Sequence, residues 1–191
     1  MIGLLLVLFG GSFAYGYEQQ TGKISHWLSG YFPPQPQPRI SPSKPNSAPP
    51  PAYTKLDFDV LSRTLWGEAR GQGYSGMQAV ANVIMNRVKS RGFPNSAAAV
   101  CQQKWQFSVW NANDPNLGQM MNVTTADANF RIAQDIADKA LRGVLPDITG
   151  GADHYLNVAA TLAMRRGSLP DWVDMKLATR EIGEHTFLRL G

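Results

Sequence analysis

Residues 65–73 read LWGEARGQG and place one carboxylate, that of Glu68, at the end of an apolar helical face and just before a run of glycines. Leu61 and Leu65 lie at helical spacing, and Glu68 follows Leu61 by two turns, so its carboxyl group should face the apolar side of the helix. Burial disfavours the charged form of a carboxyl group, so the pKa of Glu68 should be raised, which suits a general acid near neutral pH. Two plainer interpretations stay open: Glu68 pairs with Arg70, or it closes the end of the helix.

The proline content divides the chain into a head, a linker and a body. The 191 residues contain 13 prolines, and nine of these fall between Pro33 and Pro51. The body that remains is large enough for one ordinary domain. The net charge of +4 is mild, and no cluster of Lys and Arg interleaved with aromatic residues is present, so nucleic-acid binding is not expected.

The head, residues 1–17, carries no charged side chain. As a helix of about 17 residues with a rise of ~1.5 Å per residue it would span roughly 25 Å, slightly short of the ~30 Å hydrocarbon core of a bilayer. Ser12-Phe13-Ala14 offers small residues where a signal peptidase could cut. We predict a signal peptide or a signal-anchor in the inner membrane, and a periplasmic or other extracytoplasmic location.

Residues 18–53 are predicted to be a proline-rich flexible linker. Proline lacks the backbone donor that helices and sheets require, so residues 33–38 and 47–51 should form extended spacers. Such a spacer would hold a domain away from a membrane. A proline motif that recruits a partner is the alternative.

The body, residues 54–191, has a mainly helical hydrophobic pattern. Thr54 or Asp57 can cap its first helix. Ser75 and Gln78 fit a capping box that would open a second helix, which Gly92 would end. The apolar stripe of this second helix consists of Met77, Val80, Ala81, Ile84 and Val88.

Two further helices are predicted before the pattern breaks into short segments. A short helix should start at Asn95 and end near Cys101, and a longer one should run from Thr125 to Leu141, with Gly143 closing it. The inward positions predicted for the longer helix are Phe130, Ala133, Ala137 and Ala140. The segments that follow are typical of loops and short strands.

Residues 105–111 carry side chains suited to sugar binding. Aromatic rings fit the apolar face of a sugar, and the amide and hydroxyl groups between them fit its hydroxyls. Packing of these rings into the core is the alternative. The candidate contacts in this segment are Gln106, Phe107, Ser108 and Trp110.

A second candidate segment, residues 153–157, follows a pair of glycines. If it is a strand, alternation places His154 and Leu156 on one face and Asp153, Tyr155 and Asn157 on the other. His154, Tyr155 and Asn157 are therefore further candidates for substrate contact. His185, near the end of the chain, marks a third candidate segment.

Metal, thiol and serine chemistry are poorly supported. The chain has no His-Glu-x-x-His helix and no close ligand pair, so Glu68, His154 and His185 do not suggest a metal site. Cys101 is the only cysteine, and its apolar neighbours predict a buried residue rather than a reactive thiol. No Gly-x-Ser-x-Gly elbow indicates a serine hydrolase. We expect neither a metal nor a cofactor.

Four blocks of sequence resemble the catalytic domain of the spore-cortex-lytic, cell wall hydrolase family. They are LWGEARGQGYSGMQAVANVIMNRVKSRGFPNSAAAV, QFSVWN, GGADHYLN and IGEHTFLR, in the family's order and over nearly the whole body. The resemblance implies an α+β, mainly α, lysozyme-like domain related to lytic transglycosylases, with a small β element near the C-terminus. It places the family's catalytic glutamate at Glu68, its Gln-Phe-Ser segment at residues 106–108 and its His-Tyr-x-Asn segment at residues 154–157. Gln72 and Leu156 depart from the family's usual residues.

The resemblance and the single carboxylate together predict an enzyme that cleaves the β-1,4 bond between N-acetylmuramic acid and N-acetylglucosamine in peptidoglycan. With Glu68 alone, the 6-hydroxyl of muramic acid would serve as nucleophile, as in a lytic transglycosylase. A muramidase that releases reducing ends would need a second carboxylate. The candidates for that second group are Asp114, Asp153 and Glu181.

Two non-enzymatic functions are the alternatives to glycan cleavage. One is a peptidoglycan-binding module without turnover, and the other is a membrane-anchored scaffold whose proline spacer recruits partners. We expect a monomer that binds peptidoglycan glycan strands and reaches the inner membrane through residues 1–17. Such a layout suits a phage endolysin or a bacterial wall-remodelling enzyme.

Overall fold

The computed structural model describes residues 53–191, which are mainly helical and end in a small sheet. The predictions for the head and for the linker up to residue 52 lie outside the described residues. Between residues 53 and 191, no helix is both long and apolar enough to cross a membrane. The helices are α1 (Lys55–Ala69), α2 (Gly73–Lys89), α3 (Ala97–Cys101), α4 (Leu117–Asn122), α5 (Ala128–Leu141) and α6 (Val158–Met164). The strands are β1 (His154–Leu156), β2 (Ala178–Ile182) and β3 (His185–Leu188), and single 3-10 turns span Arg70–Gln72, Ser108–Trp110 and Met175–Leu177.

Helix α1 begins at a capping box formed by Thr54 and Asp57. Thr54 Oγ1 accepts the Asp57 N–H at 3.0 Å, and Asp57 Oδ2 accepts the Thr54 N–H at 3.2 Å. The predicted cap is therefore confirmed, and both candidate residues contribute to it. Asp57 Oδ1 also accepts the Ala98 N–H at 3.0 Å, so the same carboxylate joins the start of α1 to α3.

The capping box predicted at Ser75 and Gln78 is wrong. Helix α2 already begins at Gly73, directly after the 3-10 turn, and no side chain caps it. Gly73 has φ +66°, a conformation that glycine adopts readily, and this lets the chain pass from the turn into α2 without a polar cap. Gln78 is buried instead, and its Nε2 donates to the carbonyl oxygen of Pro146 at 2.9 Å.

Other helix ends shift by a few residues from their predicted positions. Helix α2 ends before Gly92, which lies in the following turn at φ +96°. Ser96 caps α3 in place of Asn95, and Asp127 caps α5 in place of Thr125. A cap depends on which side-chain oxygen reaches a backbone N–H of the first turn, and the apolar pattern does not specify that residue. The inward positions predicted for α5 are all buried: Phe130, Ala133, Ala137 and Ala140.

Helix α1 forms the centre of the core and packs against α2, α3 and α5. Leu61 and Leu65 are fully buried on it, and Glu68 is buried with them, as its spacing predicted. Cys101 at the end of α3 is buried as well, and burial raises the pKa of its thiol to about 12. The thiol is therefore a packing group, in line with the prediction from its neighbours.

The three strands form an antiparallel sheet in the order β1-β3-β2. The predicted alternation is confirmed within β1: Tyr155 pairs with Phe187 and packs in the main core, whereas Leu156 packs in a second, smaller cluster with Leu188. The strand ends before Asn157, which caps α6. The sequence pattern missed α4, α6 and β2. Each of these elements buries at most one residue fully, so its apolar periodicity is weak.

Candidate functional site

Glu68 is the second-last residue of α1 and is only 5% exposed. Burial raises the pKa of its carboxyl to about 8; a hydrogen bond from the Val109 N–H to Oε1 at 3.3 Å opposes the rise, and the charge of Asp114 adds to it. The protonated form therefore predominates at neutral pH, and the group can donate a proton as a general acid. The raised pKa predicted from the helical spacing is confirmed.

Arg70 closes the end of α1 and does not pair with Glu68. Its Nη1 donates to the carbonyl oxygens of Trp66 and Gly67 at 3.4 and 3.2 Å, and its Nη2 donates to Asn116 Oδ1 at 2.9 Å. The guanidinium carbon also lies over the Trp66 ring, 4.2 Å from its centroid. Within the described part of the chain no ion pair joins Arg70 to Glu68, so no nearby cation offsets the effect of burial on the carboxyl group.

The loop after α3 passes the end of α1 and brings Val109 against Glu68. Gly67 makes this approach feasible, because a Cβ at that position would lie 2.5 Å from Val109 Cγ2. Trp110 is anchored beside it, since its Nε1 donates to Thr64 Oγ1 on α1 at 2.9 Å. The loop is thus held against α1 at two points, and one of them is a contact to the candidate acid.

The predicted sugar contacts in this loop differ in exposure. Gln106, Ser108 and Trp110 are partly exposed, so their contact with a substrate stays a prediction. Phe107 is 1% exposed and packs beneath the guanidinium of Arg87, whose carbon lies 5.6 Å from the ring centroid. Its ring supports the loop from inside the core and offers no exposed face. For Phe107 the alternative of core packing is therefore correct, and the predicted sugar contact is wrong.

Tyr155 of β1 lies near Glu68 within the core. Its ring stacks on Phe187 with 5.6 Å between centroids and meets the edge of the His185 ring at 4.9 Å. Burial and the nearby charge of Glu68 raise the pKa of Tyr155. The Tyr155 hydroxyl is buried and has no hydrogen-bond partner among residues 53–191. An unpaired buried hydroxyl is costly, and the predicted contact of this group with a substrate stays a prediction.

His185 is buried next to Tyr155, and its Nδ1 has no partner in the described residues. Burial lowers its pKa to about 4, so the ring is neutral at pH 7. No group of three His, Cys, Asp or Glu side chains between residues 53 and 191 could hold a metal ion. His185 thus places a neutral ring against the edge of Tyr155.

His154 faces the second apolar cluster and contacts groups of the protein itself. Its Nδ1 lies 2.8 Å from Asp153 Oδ1, and its ring lies between Phe93 and Trp172. Burial tends to raise the pKa of Asp153, but the hydrogen bond with His154 and those from two C-terminal N–H groups, including Leu190 at 2.8 Å, lower it overall. The His154 ring keeps a partly exposed edge, so its substrate contact stays a prediction.

Asn157 follows β1 and caps α6. Its Oδ1 accepts the Ala160 N–H at 2.8 Å, and its Nδ2 donates to Glu184 Oε2 at 3.3 Å. Both ends of the amide thus have partners within the protein. The amide keeps a second donor hydrogen and a second lone pair, so the predicted contact of Asn157 with a substrate beside Tyr155 stays a prediction.

The apolar pattern did not single out Arg87, although this residue contacts both predicted segments, residues 105–111 and residues 153–157. It lies near the end of α2, is 2% exposed, and donates to Asp153 and to Gln106. The spacing could have indicated that Arg87 is buried, because it follows Val80 and Ile84 at helical spacing and so continues the buried stripe. A charged residue on an apolar stripe indicates a buried polar contact, and the pattern does not say with what.

Comparisons with known proteins relate this chain to enzymes that degrade cell walls. A family model described as Cell Wall Hydrolase matches residues 71–188, a match that begins just after Glu68. The spore cortex-lytic enzyme of Oceanobacillus iheyensis is 28% identical over 145 residues, which cover 73% of this chain and 44% of that protein. The Bacillus subtilis enzyme of the same description is 41% identical over 60 residues, or 31% of this chain and 20% of that protein. The chain thus spans less than half the length of the curated relatives that it matches.

Two solved structures share the fold. The catalytic domain of the germination-specific lytic transglycosylase SleB from Bacillus anthracis matches with a TM-score of 0.57 at 28% identity, covering 73% of this chain and 99% of that domain. The catalytic domain of the Bacillus cereus SleB protein matches with a TM-score of 0.56 at 26% identity, covering 78% of this chain and 100% of that domain. These matches confirm the predicted α+β, mainly α fold class and the resemblance observed in the sequence.

Proposed function

The chain belongs to the cell wall hydrolase family, and on that premise we propose that it cleaves the β-1,4 bond between N-acetylmuramic acid and N-acetylglucosamine in peptidoglycan. The observation that carries the proposal is the buried carboxyl group of Glu68, which is protonated at neutral pH. The similarity to spore cortex-lytic enzymes and to a lytic transglycosylase domain supports the choice of substrate and reaction.

In the proposed reaction Glu68 acts first as an acid and then as a base. Its carboxyl proton passes to the glycosidic oxygen as the bond from that oxygen to C1 breaks, which leaves an oxocarbenium-like muramic acid. The Glu68 carboxylate then accepts the proton of the muramic acid 6-hydroxyl, whose oxygen bonds to C1 and closes a 1,6-anhydro ring. The Val109 N–H, 3.3 Å from Oε1, stabilises the carboxylate that exists between the two steps.

Tyr155 and the partly exposed residues of the loop after α3 are the groups that we propose to orient the sugar. The Tyr155 hydroxyl is buried near Glu68 and unpaired in the described structure, so a sugar hydroxyl or acetamido group would supply its missing partner. Gln106, Ser108 and Trp110 offer amide, hydroxyl and aromatic surfaces along the same loop that contacts Glu68.

Hydrolysis by a muramidase mechanism is the second candidate, and Asp114 is the residue that favours it. Its charge raises the pKa of Glu68, so the two carboxyl groups are close enough to interact. Asp153 is occupied by hydrogen bonds to the C-terminal backbone, and Glu181 is exposed on β2. A water held by Asp114 would replace the 6-hydroxyl as nucleophile and yield reducing ends.

Fragment analysis of digested peptidoglycan separates these outcomes. The full chain, Glu68→Gln, Asp114→Asn and the control Asp59→Asn are compared by mass spectrometry; Asp59 is an exposed carboxylate on the opposite side of α1. We expect 1,6-anhydro ends from the wild type, from Asp59→Asn and from Asp114→Asn, and none from Glu68→Gln. Reducing ends that depend on Asp114 would identify a muramidase. Binding to peptidoglycan without any products would identify a non-catalytic module.

We further propose that the chain is exported from the cytoplasm and that its body is tethered to the membrane. Residues 1–17 are uncharged and the following segment is rich in proline, which supports an export signal or membrane anchor joined to the body by a spacer. Fractionation of cells that express the full chain, with an antibody to the body, measures this directly. Recovery in the extracytoplasmic or membrane fraction is expected, whereas recovery in the cytoplasm would contradict it.

A further inference from the structure

Arg87 is a buried cation that no carboxylate in the described residues neutralises by an ion pair. Its guanidinium lies between two aromatic rings, 5.2 Å from the centroid of Phe93 and 5.6 Å from that of Phe107. Burying a cation without an ion pair is costly, and the apolar stripe of α2 would accept an uncharged side chain at this position. The arrangement therefore calls for a reason other than core packing.

Two hydrogen bonds supply that reason, because they join separate parts of the site. Nε donates to the carbonyl oxygen of Asp153 at 2.6 Å, and Nη1 donates to Gln106 Oε1 at 3.0 Å. Asp153 directly precedes β1, which carries Tyr155 two residues later. Gln106 begins the stretch of loop that presents Val109 to Glu68.

We propose that Arg87 is a positioning residue that sets the spacing between these two parts of the site, an inference that rests on the proposed function. The loop at Gln106 has no helix or strand to fix it before the short turn at Ser108–Trp110, and β1 is only three residues long. A guanidinium presents several donors in a rigid plane, so one side chain fixes both acceptors at a set distance. Arg87 acts through the groups that it holds and does not itself meet the substrate.

The same bond gives Gln106 a second role beside its predicted sugar contact. Its Oε1 accepts from Arg87, so the orientation of the amide is set by that bond. A change at Gln106 that keeps its length but removes the acceptor should therefore reproduce the effect of losing Arg87 at the loop. A variant that changes both residues should be no worse than Arg87→Met alone, since the Gln106 contact is already lost there.

The test compares activity with stability in Arg87→Lys, Arg87→Met, Gln106→Met and the double variant Arg87→Met/Gln106→Met, each in the full chain. A lysine keeps the charge and can reach one acceptor, whereas methionine keeps the volume and makes no hydrogen bond. We expect kcat on peptidoglycan to be about 10-fold below the wild type in Arg87→Lys and about 100-fold below it in Arg87→Met, because small misplacements of catalytic groups are costly. We expect the unfolding temperature to follow a different order, with the lysine variant below the methionine variant, because an ammonium is the harder group to bury.

Each outcome decides the proposal. A kcat that follows the order of unfolding temperatures, or that stays at the wild-type value in all folded variants, overturns it and leaves Arg87 a structural residue. Should Arg87→Met fail to fold, Gln106→Met carries the test, and an unchanged kcat for it overturns the proposal. Arg91→Met, which changes an exposed arginine beyond α2, is the control and should match the wild type. If the wild-type chain releases no glycan fragments, the proposed function fails instead, and that is established before any variant is compared.

Discussion

The two sides of the candidate site are built in different ways. Glu68 lies on a regular helix of 15 residues whose apolar face is buried against three other helices. The groups around it come from a loop with one short turn and from a strand of three residues, and specific contacts hold both in place. We call these the helical wall and the assembled wall. The helical wall raises the pKa of Glu68 through burial, whereas the assembled wall places the groups near it.

The two walls should therefore respond differently to substitution. Burial of Glu68 depends on many apolar contacts, so its raised pKa should survive small changes elsewhere. The assembled wall depends on a few hydrogen bonds and one close approach at Gly67, so single substitutions there should displace it. Four single substitutions, at Glu68, Gly67, Tyr155 and Asn157, distinguish the two walls.

The largest effect is expected for Glu68→Gln, which should lower kcat by about 10³-fold, the loss typical of a missing general acid.

The same substitution should raise the free energy of unfolding above that of the wild type at high pH. The pKa of Glu68 rises from 4.5 to about 8 on folding, so the stability that this group contributes is present below pH 4.5 and is lost as the pH rises toward 8. Glutamine has no such loss, so urea unfolding should show the variant gaining roughly 4 to 5 kcal/mol over the wild type across that interval. A constant difference would mean that Glu68 titrates normally.

Gly67→Ala tests the junction of the two walls. The added methyl group would meet Val109 Cγ2 at 2.5 Å, so the loop must move away and its N–H must leave Glu68. We expect kcat to fall by about 100-fold and the free energy of unfolding to fall by ~2 kcal/mol, as overpacking and misplacement typically cause. Gly118→Ala is the matched control, because a methyl group there meets nothing within 4 Å on α4. Equal behaviour of the two variants would show that the approach of Val109 is unimportant.

Tyr155→Phe tests the assembled wall at its strand. The hydroxyl has no partner in the described residues, so its removal should leave the free energy of unfolding unchanged or slightly higher. If a sugar group binds this hydroxyl, KM should rise or kcat should fall by about 10-fold, equal to the loss of one hydrogen bond. The exposed Tyr74→Phe serves as the control. Unchanged kinetics for Tyr155→Phe would remove the hydroxyl from the site and leave only the ring.

Asn157→Ala should have the smallest effect, at the outer end of the assembled wall. It removes the cap of α6, so thermal or urea unfolding should show a loss of ~1 kcal/mol. Asn157→Ser keeps a capping oxygen and should restore most of that stability. If the serine variant is stable yet has a raised KM, then the amide contacts substrate as well as capping the helix.

Sequence reasoning was effective where local periodicity carries the information. The face of α1, the stripe of α2 and the alternation around Tyr155 all follow from spacing, and so does the burial of Glu68. The contacts of Arg87 join residues 19 and 66 positions apart, and no local pattern encodes them. The same applies to the close approach of Val109 to Gly67, which depends on how the loop folds back over α1. The helical wall could therefore be predicted from the sequence, and the arrangement of the assembled wall could not.

We expect Glu68 to hold a proton at neutral pH, and a titration of its carboxyl carbon tests this directly. Carbon-13 NMR spectra of the full chain, labelled at Glu side-chain carboxyls, would be recorded from pH 3 to pH 10. The signal of Glu68 is the one that is missing in Glu68→Gln. We predict a midpoint near 8, in the range where the carboxyl can both donate and accept a proton. A midpoint near the ordinary value of 4.5 would contradict the assignment of Glu68 as the acid.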